Sequence, residues 1–298
     1  MEAKRQNYYG AFFWLSLIAF IVPLVVAVQA FRVALPATKP TPAPDASGVD
    51  HALWDYLLKA YVANGLIDYE GMARDYLFRT YLAQLGACDV GKLETDAEKI
   101  ALLCNAYNAF VVDGVITQKV TGSVMDEAAA VDGTGFFDQK RHIFGGETMS
   151  LNHLEHQVIR EDFDEPRIHV ALVCAAKSCP AIRPEAFVGE RLDAQLADQA
   201  RLFANSPRYV AYDPEKQAVL LSPILDWYGE DWENHGGVLP WLAERVEDAA
   251  LREAIARVAK GELKVAYSEY DWALNSQATR GTGGARKVEF GSGSIPNE

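Results

Sequence analysis

Few side chains in this chain of 298 residues could do covalent chemistry, and they gather in one stretch: Glu155, His156, His169, Cys174 and Cys179. A cysteine in a loop after a buried strand can carry a lowered pKa and act as a nucleophile. It then needs a histidine base and a carboxylate or amide to orient that ring. His169 lies five residues before Cys174, so on a regular strand the two side chains point to opposite faces. His156, on a different element, is the better base for either sulfur, with Glu155, Asn105 or Asn108 as orienting group. Pro180 disfavours helical geometry at Cys179. Its sulfur is therefore expected on an extended, accessible corner near the Lys177 charge, and Cys174 is expected to be the more buried of the two.

The same two cysteines also admit a structural reading. Four cysteines, Cys88, Cys104, Cys174 and Cys179, in an oxidising compartment favour disulfides. A Cys174–Cys179 bridge closes a ring of about six residues, worth roughly 2 kcal/mol if unstrained. Both readings stand open on sequence alone. Asn105 and Asn108 lie on one side of an apolar helix, where an unpaired amide costs on the order of 1–3 kcal/mol. They must bind backbone, water or a ligand, which makes them candidate substrate-binding residues; Tyr107, between them, is grouped with them but reads first as core. His153 and His156 share a helix face, and zinc could use them with the two thiolates. However, Cys174 and Cys179 are separated by four residues, and the His-x-Glu of zinc deaminases demands Pro-Cys-x2-Cys. No metal site is expected, and no cofactor: glycine-rich phosphate loops and a Gly-x-Ser-x-Gly elbow are both missing from the folded region.

The elements that must position these residues follow from hydrophobic periodicity. Helices are expected over 51–64 and 72–85. A long one starts at a Thr95–Glu98 capping box and runs through Asn105 and Asn108 toward Lys119, apolar nearly all round and so central. Residues 140–151 read as two short strands about Gly145-Gly146, 152–160 as helix, 167–174 as a buried strand, 190–205 as helix, 209–212 and 218–221 as strands, 239–259 as helix and 264–267 as a closing strand. Strands and helices do not alternate strictly, which favours α+β: an antiparallel sheet packed against several helices, preceded by one N-terminal transmembrane or signal helix.

That N-terminal segment is residues 10–30, uncharged and long enough to cross a bilayer. Lys4 and Arg5 before it put residues 1–9 in the cytoplasm; cleavage after Ala30 is the alternative. A Pro-rich linker at 31–49 follows, then the folded domain at 50–275 and a flexible tail at 276–298. The chain is therefore expected as a single-pass membrane protein with an extracytoplasmic domain. The formal charge is −13, and since the first thirty residues carry Lys4 and Arg5 against Glu2, the remainder is more acidic still; it repels phosphate backbones, which makes nucleic acid a poor partner.

Several phrases coincide in order: Asn105-Ala106-Tyr107-Asn108, Leu154-Glu155-His156, Arg167 to Cys174 with Lys177-Ser178-Cys179-Pro180, Leu221-Ser222-Pro223-Ile224 with Trp227-Tyr228, and Tyr270-Asp271-Trp272-Ala273-Leu274-Asn275. Together they resemble the family catalogued as domain of unknown function 547, from about residue 50 to 275. The resemblance implies no agreed activity. The leading expectation is an envelope binding or scaffold module stapled by a local disulfide, engaging an unknown envelope partner or small substrate. The alternative is a Cys/His-dependent envelope hydrolase or acyl/thiol transferase.

Overall fold

A computed structural model describes residues 43–278. The expected cytoplasmic start, residues 10–30, most of the linker and residues 279–298 of the tail lie outside the described residues. Within them the fold is α+β, with many helices and three small sheets.

Helix α1 (His51–Tyr61) ends at a two-residue hairpin, strands β1 (Val62–Ala63) and β2 (Leu66–Ile67). Asn64 and Gly65 both take positive φ there, 53° and 73°, the backbone a tight hairpin turn needs. The helix expected over 72–85 is two helices, α2 (Tyr69–Arg74) and α3 (Tyr76–Ala87). Asp75 ends the first and caps the second, its carboxylate accepting from the Leu77 N–H. Trp54 of α1 stacks on Tyr81 of α3 at 5.6 Å.

These pack around α4 (Asp96–Thr117), which opens with the expected capping box between Thr95 and Glu98. Its apolar stretch is long enough to cross a membrane, but 83% of it is buried inside the fold, so it is the core helix. Strands β3 (His142–Phe144) and β4 (Glu147–Met149) form the expected hairpin about Gly145-Gly146. Next comes a π-helical segment, His153–Ile159, wider than the α-helix that 3.6-residue periodicity implies. Single π-turns of this kind recur at functional sites.

The expected buried strand over 167–174 is not a strand. Pro166–Val170 forms a 3-10 helix, because Pro166 suits a helix start and the Glu165 carboxylate caps the Arg167 N–H. The apolar run that suggested a strand is instead buried by two hydrophobic clusters. Ile168 and Ala171 join the one around α4, and Val170 joins a second cluster. That second cluster is built on α5 (Leu192–Ala204), strands β5 (Val210–Asp213) and β6 (Ala218–Leu221), helices α6 (Ile224–Trp227), α7 (Val238–Ala243) and α8 (Ala249–Ala259), and strand β7 (Lys264–Tyr267). The largest sheet is mixed, which corrects the expected antiparallel one: β5 pairs antiparallel with β6, but β7 runs parallel to it, Ala218 opposite Lys264. Helix α8 supplies the crossover that a parallel pair needs.

Candidate functional site

Cys174 packs against the cluster around α4, and the chain there is held from two sides. From below, Asn108 of α4 brackets the approach: its Nδ2 donates to the Ala171 carbonyl at 3.0 Å and its Oδ1 accepts the Val173 N–H at 2.9 Å. From the other side the segment 271–275 clamps the loop. The N–H groups of Lys177 and Ser178 donate to the carbonyls of Ala273 and Asp271, and that of Asn275 donates to the Ala175 carbonyl. The clamp holds Ala175 at φ 62°, a left-handed conformation that costs a non-glycine residue on the order of 1–3 kcal/mol.

Tyr270 immediately precedes the clamp, and its hydroxyl lies 3.0 Å from Cys174 Sγ. Cys179 Sγ accepts the Cys174 backbone N–H at 2.8 Å and donates to the Leu172 carbonyl at 3.9 Å. Among the described residues all four cysteines are free, so the expected Cys174–Cys179 staple is absent. The expected order of exposure is reversed as well. Cys174 is half-buried, while Cys179 is only 5% exposed, its carbonyl taken by the Tyr209 hydroxyl at 3.0 Å and Pro180 packed inside.

Burial pushes the Cys174 thiol up, but hydrogen bonds from Cys179, Tyr270 and the Ala176 backbone outweigh it, and the net shift is downward. The Lys177 charge has no part among these causes. Cys179 moves the other way, raised well above a normal thiol by burial and then by Cys174. Tyr270 is likewise raised, chiefly by burial and next by the two sulfurs, so its phenol stays protonated and able to donate. Burial alone accounts for most of the rise of Cys88 to about 11.

Glu155 lies on the π-helical segment, 6% exposed. The hydroxyls of Tyr107 and Tyr228 are raised well above their usual value, chiefly by burial and next by the nearby Glu155 charge. The carboxylate is close enough to Cys174 to oppose formation of its thiolate. Tyr107 therefore belongs to the site as well as to the core.

The histidines form a separate charge network. Arg160 grips Asp231 with two hydrogen bonds of 2.7 Å and places Nη1 3.0 Å from His156 Nδ1, which must accept it. His169 donates Nε2–H to Asp231 at 2.6 Å and stacks on Tyr228 at 3.9 Å; its Nδ1 is buried with no hydrogen-bond partner. Burial lowers the His169 pKa against the pull of Asp231. Asp231 resists burial through Arg160 and His169, which hold its carboxyl well below the usual range. No hydrogen bond among the described residues joins His156 or His169 to either sulfur. The proximate donor to Cys174 is a tyrosine, where a histidine was expected.

Asn105 is occupied by backbone: Nδ2 donates to the Phe187 carbonyl at 2.7 Å and Oδ1 accepts the Phe187 N–H at 2.9 Å. Neither central amide points a free group at a ligand; Asn105 braces a loop, and Asn108 braces the approach to the thiol. Among the described residues no three His, Cys, Asp or Glu side chains converge as for a metal ion. Tyr228, Asp231 and Tyr270 were not singled out from sequence as site residues. Two of them stand in the quoted phrases Trp227-Tyr228 and Tyr270-Asp271-Trp272, which carried resemblance without a role, and Asp231 had no signal.

No curated protein and no solved structure matches the chain. The matched stretch below includes Asn108, Glu155, Cys174 and Cys179 and stops short of Tyr228, Asp231 and Tyr270. Residues 91–204 match the family model described as Protein of unknown function, DUF547, the family that the sequence motifs resemble.

Proposed function

We propose that this domain is a thiol-dependent transferase or hydrolase of the cell envelope, with Cys174 as its nucleophile. The observation that carries the reading is the half-buried Cys174, whose sulfur lies 3.0 Å from the Tyr270 hydroxyl and whose backbone N–H donates to Cys179 Sγ. Hydrogen bonds to the charged form of a group favour that form, so a share of thiolate is present without a base. In the reaction the thiolate forms a bond to an acyl carbon and the leaving group departs with a proton. Tyr270, whose hydroxyl lies 3.0 Å from Cys174 Sγ, is placed to pass that proton on and to regain one from the incoming water, thiol or amine. Water or a second thiol or amine then takes the acyl group from sulfur.

Against the stapled-module reading stand the free thiols. Placement in the envelope is supported by the uncharged segment 10–30 behind Lys4 and Arg5; on this reading it tethers the domain outside the membrane. The test is to incubate the protein with an activated acyl thioester and follow intact mass. An acyl adduct that maps to Cys174 and is lost in Cys174→Ser is the expected result. A protein that never acquires an adduct is a binding module, and the proposal fails.

A further inference from the structure

A nucleophilic thiol acting on acyl groups has no use for a second thiol in contact with it, yet Cys174 has one. Cys179 Sγ lies 2.8 Å from the Cys174 backbone nitrogen, whose N–H it accepts, and its own S–H faces the Leu172 carbonyl at 3.9 Å, so the second thiol is held against the chain at Cys174. The pair is asymmetric in access: Cys174 is half-buried and Cys179 is 5% exposed. The turn between them is closed by the Cys179 N–H on the Ala176 carbonyl at 3.2 Å and clamped by 271–275, so they stay adjacent. The other two cysteines are buried, Cys104 fully and Cys88 at 5% exposure.

We propose that Cys179 is the resolving thiol of Cys174, and that the pair takes small-molecule disulfides as substrate. This rests on Cys174 being the nucleophile and adds a substrate class to it. In the first step the Cys174 thiolate bonds to one sulfur of a disulfide, whose S–S bond breaks and releases one thiolate. In the second, the Cys179 sulfur bonds to Cys174 Sγ, the mixed S–S bond breaks, and the second half leaves with the Cys179 proton. Two electrons pass from the dithiol to the substrate, and a Cys174–Cys179 disulfide remains. Rates of such exchange depend on the attacking thiolate and on which sulfur can be reached. Only Cys174 combines access with a hydrogen-bonded thiolate, so order of attack follows from the geometry. A half-buried sulfur favours a slender disulfide over a bulky one.

The experiment uses the reduced full-length chain in detergent with oxidised glutathione, quenched in acid and mapped by mass spectrometry. The wild type is expected to release two glutathiones per chain and to carry a Cys174–Cys179 link. Cys179→Ser is expected to stop at one glutathione on Cys174, and Cys174→Ser to react at least about tenfold more slowly. A wild type that keeps glutathione on Cys174 with no internal link overturns the resolving role and leaves the nucleophile intact. No reaction with glutathione, while iodoacetamide labels Cys174 quickly, overturns disulfides as the substrate. Slow labelling of Cys174 by iodoacetamide sinks the nucleophile and this inference together. Should Cys179→Ser fail to fold, the wild-type stoichiometry decides alone.

Discussion

At Cys174 two opposing effects compete, and their balance decides whether the residue is reactive. A thiol removed from water keeps its proton, as Cys104 and Cys88 illustrate. The same burial at Cys174 is overcome by three donors, of which the Tyr270 hydroxyl is the one that a point change can remove cleanly. Tyr270→Phe is expected to keep the ring packed on Trp227 and Trp272 while raising the Cys174 pKa, because one hydrogen bond that favours the thiolate is lost. A pH series of thiolate absorbance near 240 nm checks this; an unchanged midpoint would mean that Tyr270 is a neighbour without influence. The sequence made Cys174, Cys179, Glu155 and His156 visible by residue type alone. It could not reveal Tyr270, which reaches Cys174 across 96 positions, or Asp231, which meets His169 across 62. Long-range partners carry no local pattern, so the base was sought among histidines that Arg160 and Asp231 already occupy.

Among the elements, the central helix transmits order to the thiol loop through one amide. Asn108 makes both of its hydrogen bonds to the backbone just before Cys174, one to Ala171 and one from Val173. Asn108→Leu leaves two buried backbone groups without partners and is expected to lower stability by about 1–3 kcal/mol for each group left unpaired. It should also slow Cys174 alkylation more than a change at Asn105, whose partner Phe187 lies in another loop. Urea unfolding with timed labelling of both variants checks the two effects; equal slowing in both would deny Asn108 its positioning role. Helix α4 was legible in full, from its capping box to its centrality, because propensity, capping and apolar composition all agree there. The run 167–174 reads as a strand and folds otherwise, because an apolar β-branched segment looks alike whether a sheet or two hydrophobic clusters bury it. The Asn64-Gly65 hairpin leaves no such signal, because its strands are two residues long and show no periodic pattern.

Across the whole molecule, buried histidines tie stability to pH. His142 stacks on Phe110 at 4.9 Å and both its ring nitrogens lack hydrogen-bond partners. Burial, with Arg141 adding a little, pushes its pKa down to about 3. In the unfolded chain it titrates near its ordinary value of about 6.5, so between those two values the unfolded state holds more protons. Stability is therefore lost as pH falls through that window. His169, also lowered by burial, has the same sign. The depressed Asp231 adds its loss only as pH falls below the normal carboxylate range. Asp113, raised by burial, runs the other way, since its penalty is relieved as pH falls through its raised value. The melting temperature is expected to drop steadily from pH 7 to pH 4, and His142→Phe should flatten that slope while keeping the stack. A wild-type melting temperature constant over this range would show that the imidazole is not buried as described.

The central claim is that Cys174 carries the nucleophilic thiol, and rates of iodoacetamide labelling at each cysteine across pH 5 to 10 test it most directly. Peptide mapping of the labelled full-length chain separates Cys88, Cys104, Cys174 and Cys179. The account predicts that Cys174 is labelled first at every pH, with a midpoint below that of a free thiol, about 8.5, and that Cys179 lags behind it. Faster labelling of Cys179, or a Cys174 midpoint at or above the free-thiol value, would contradict it.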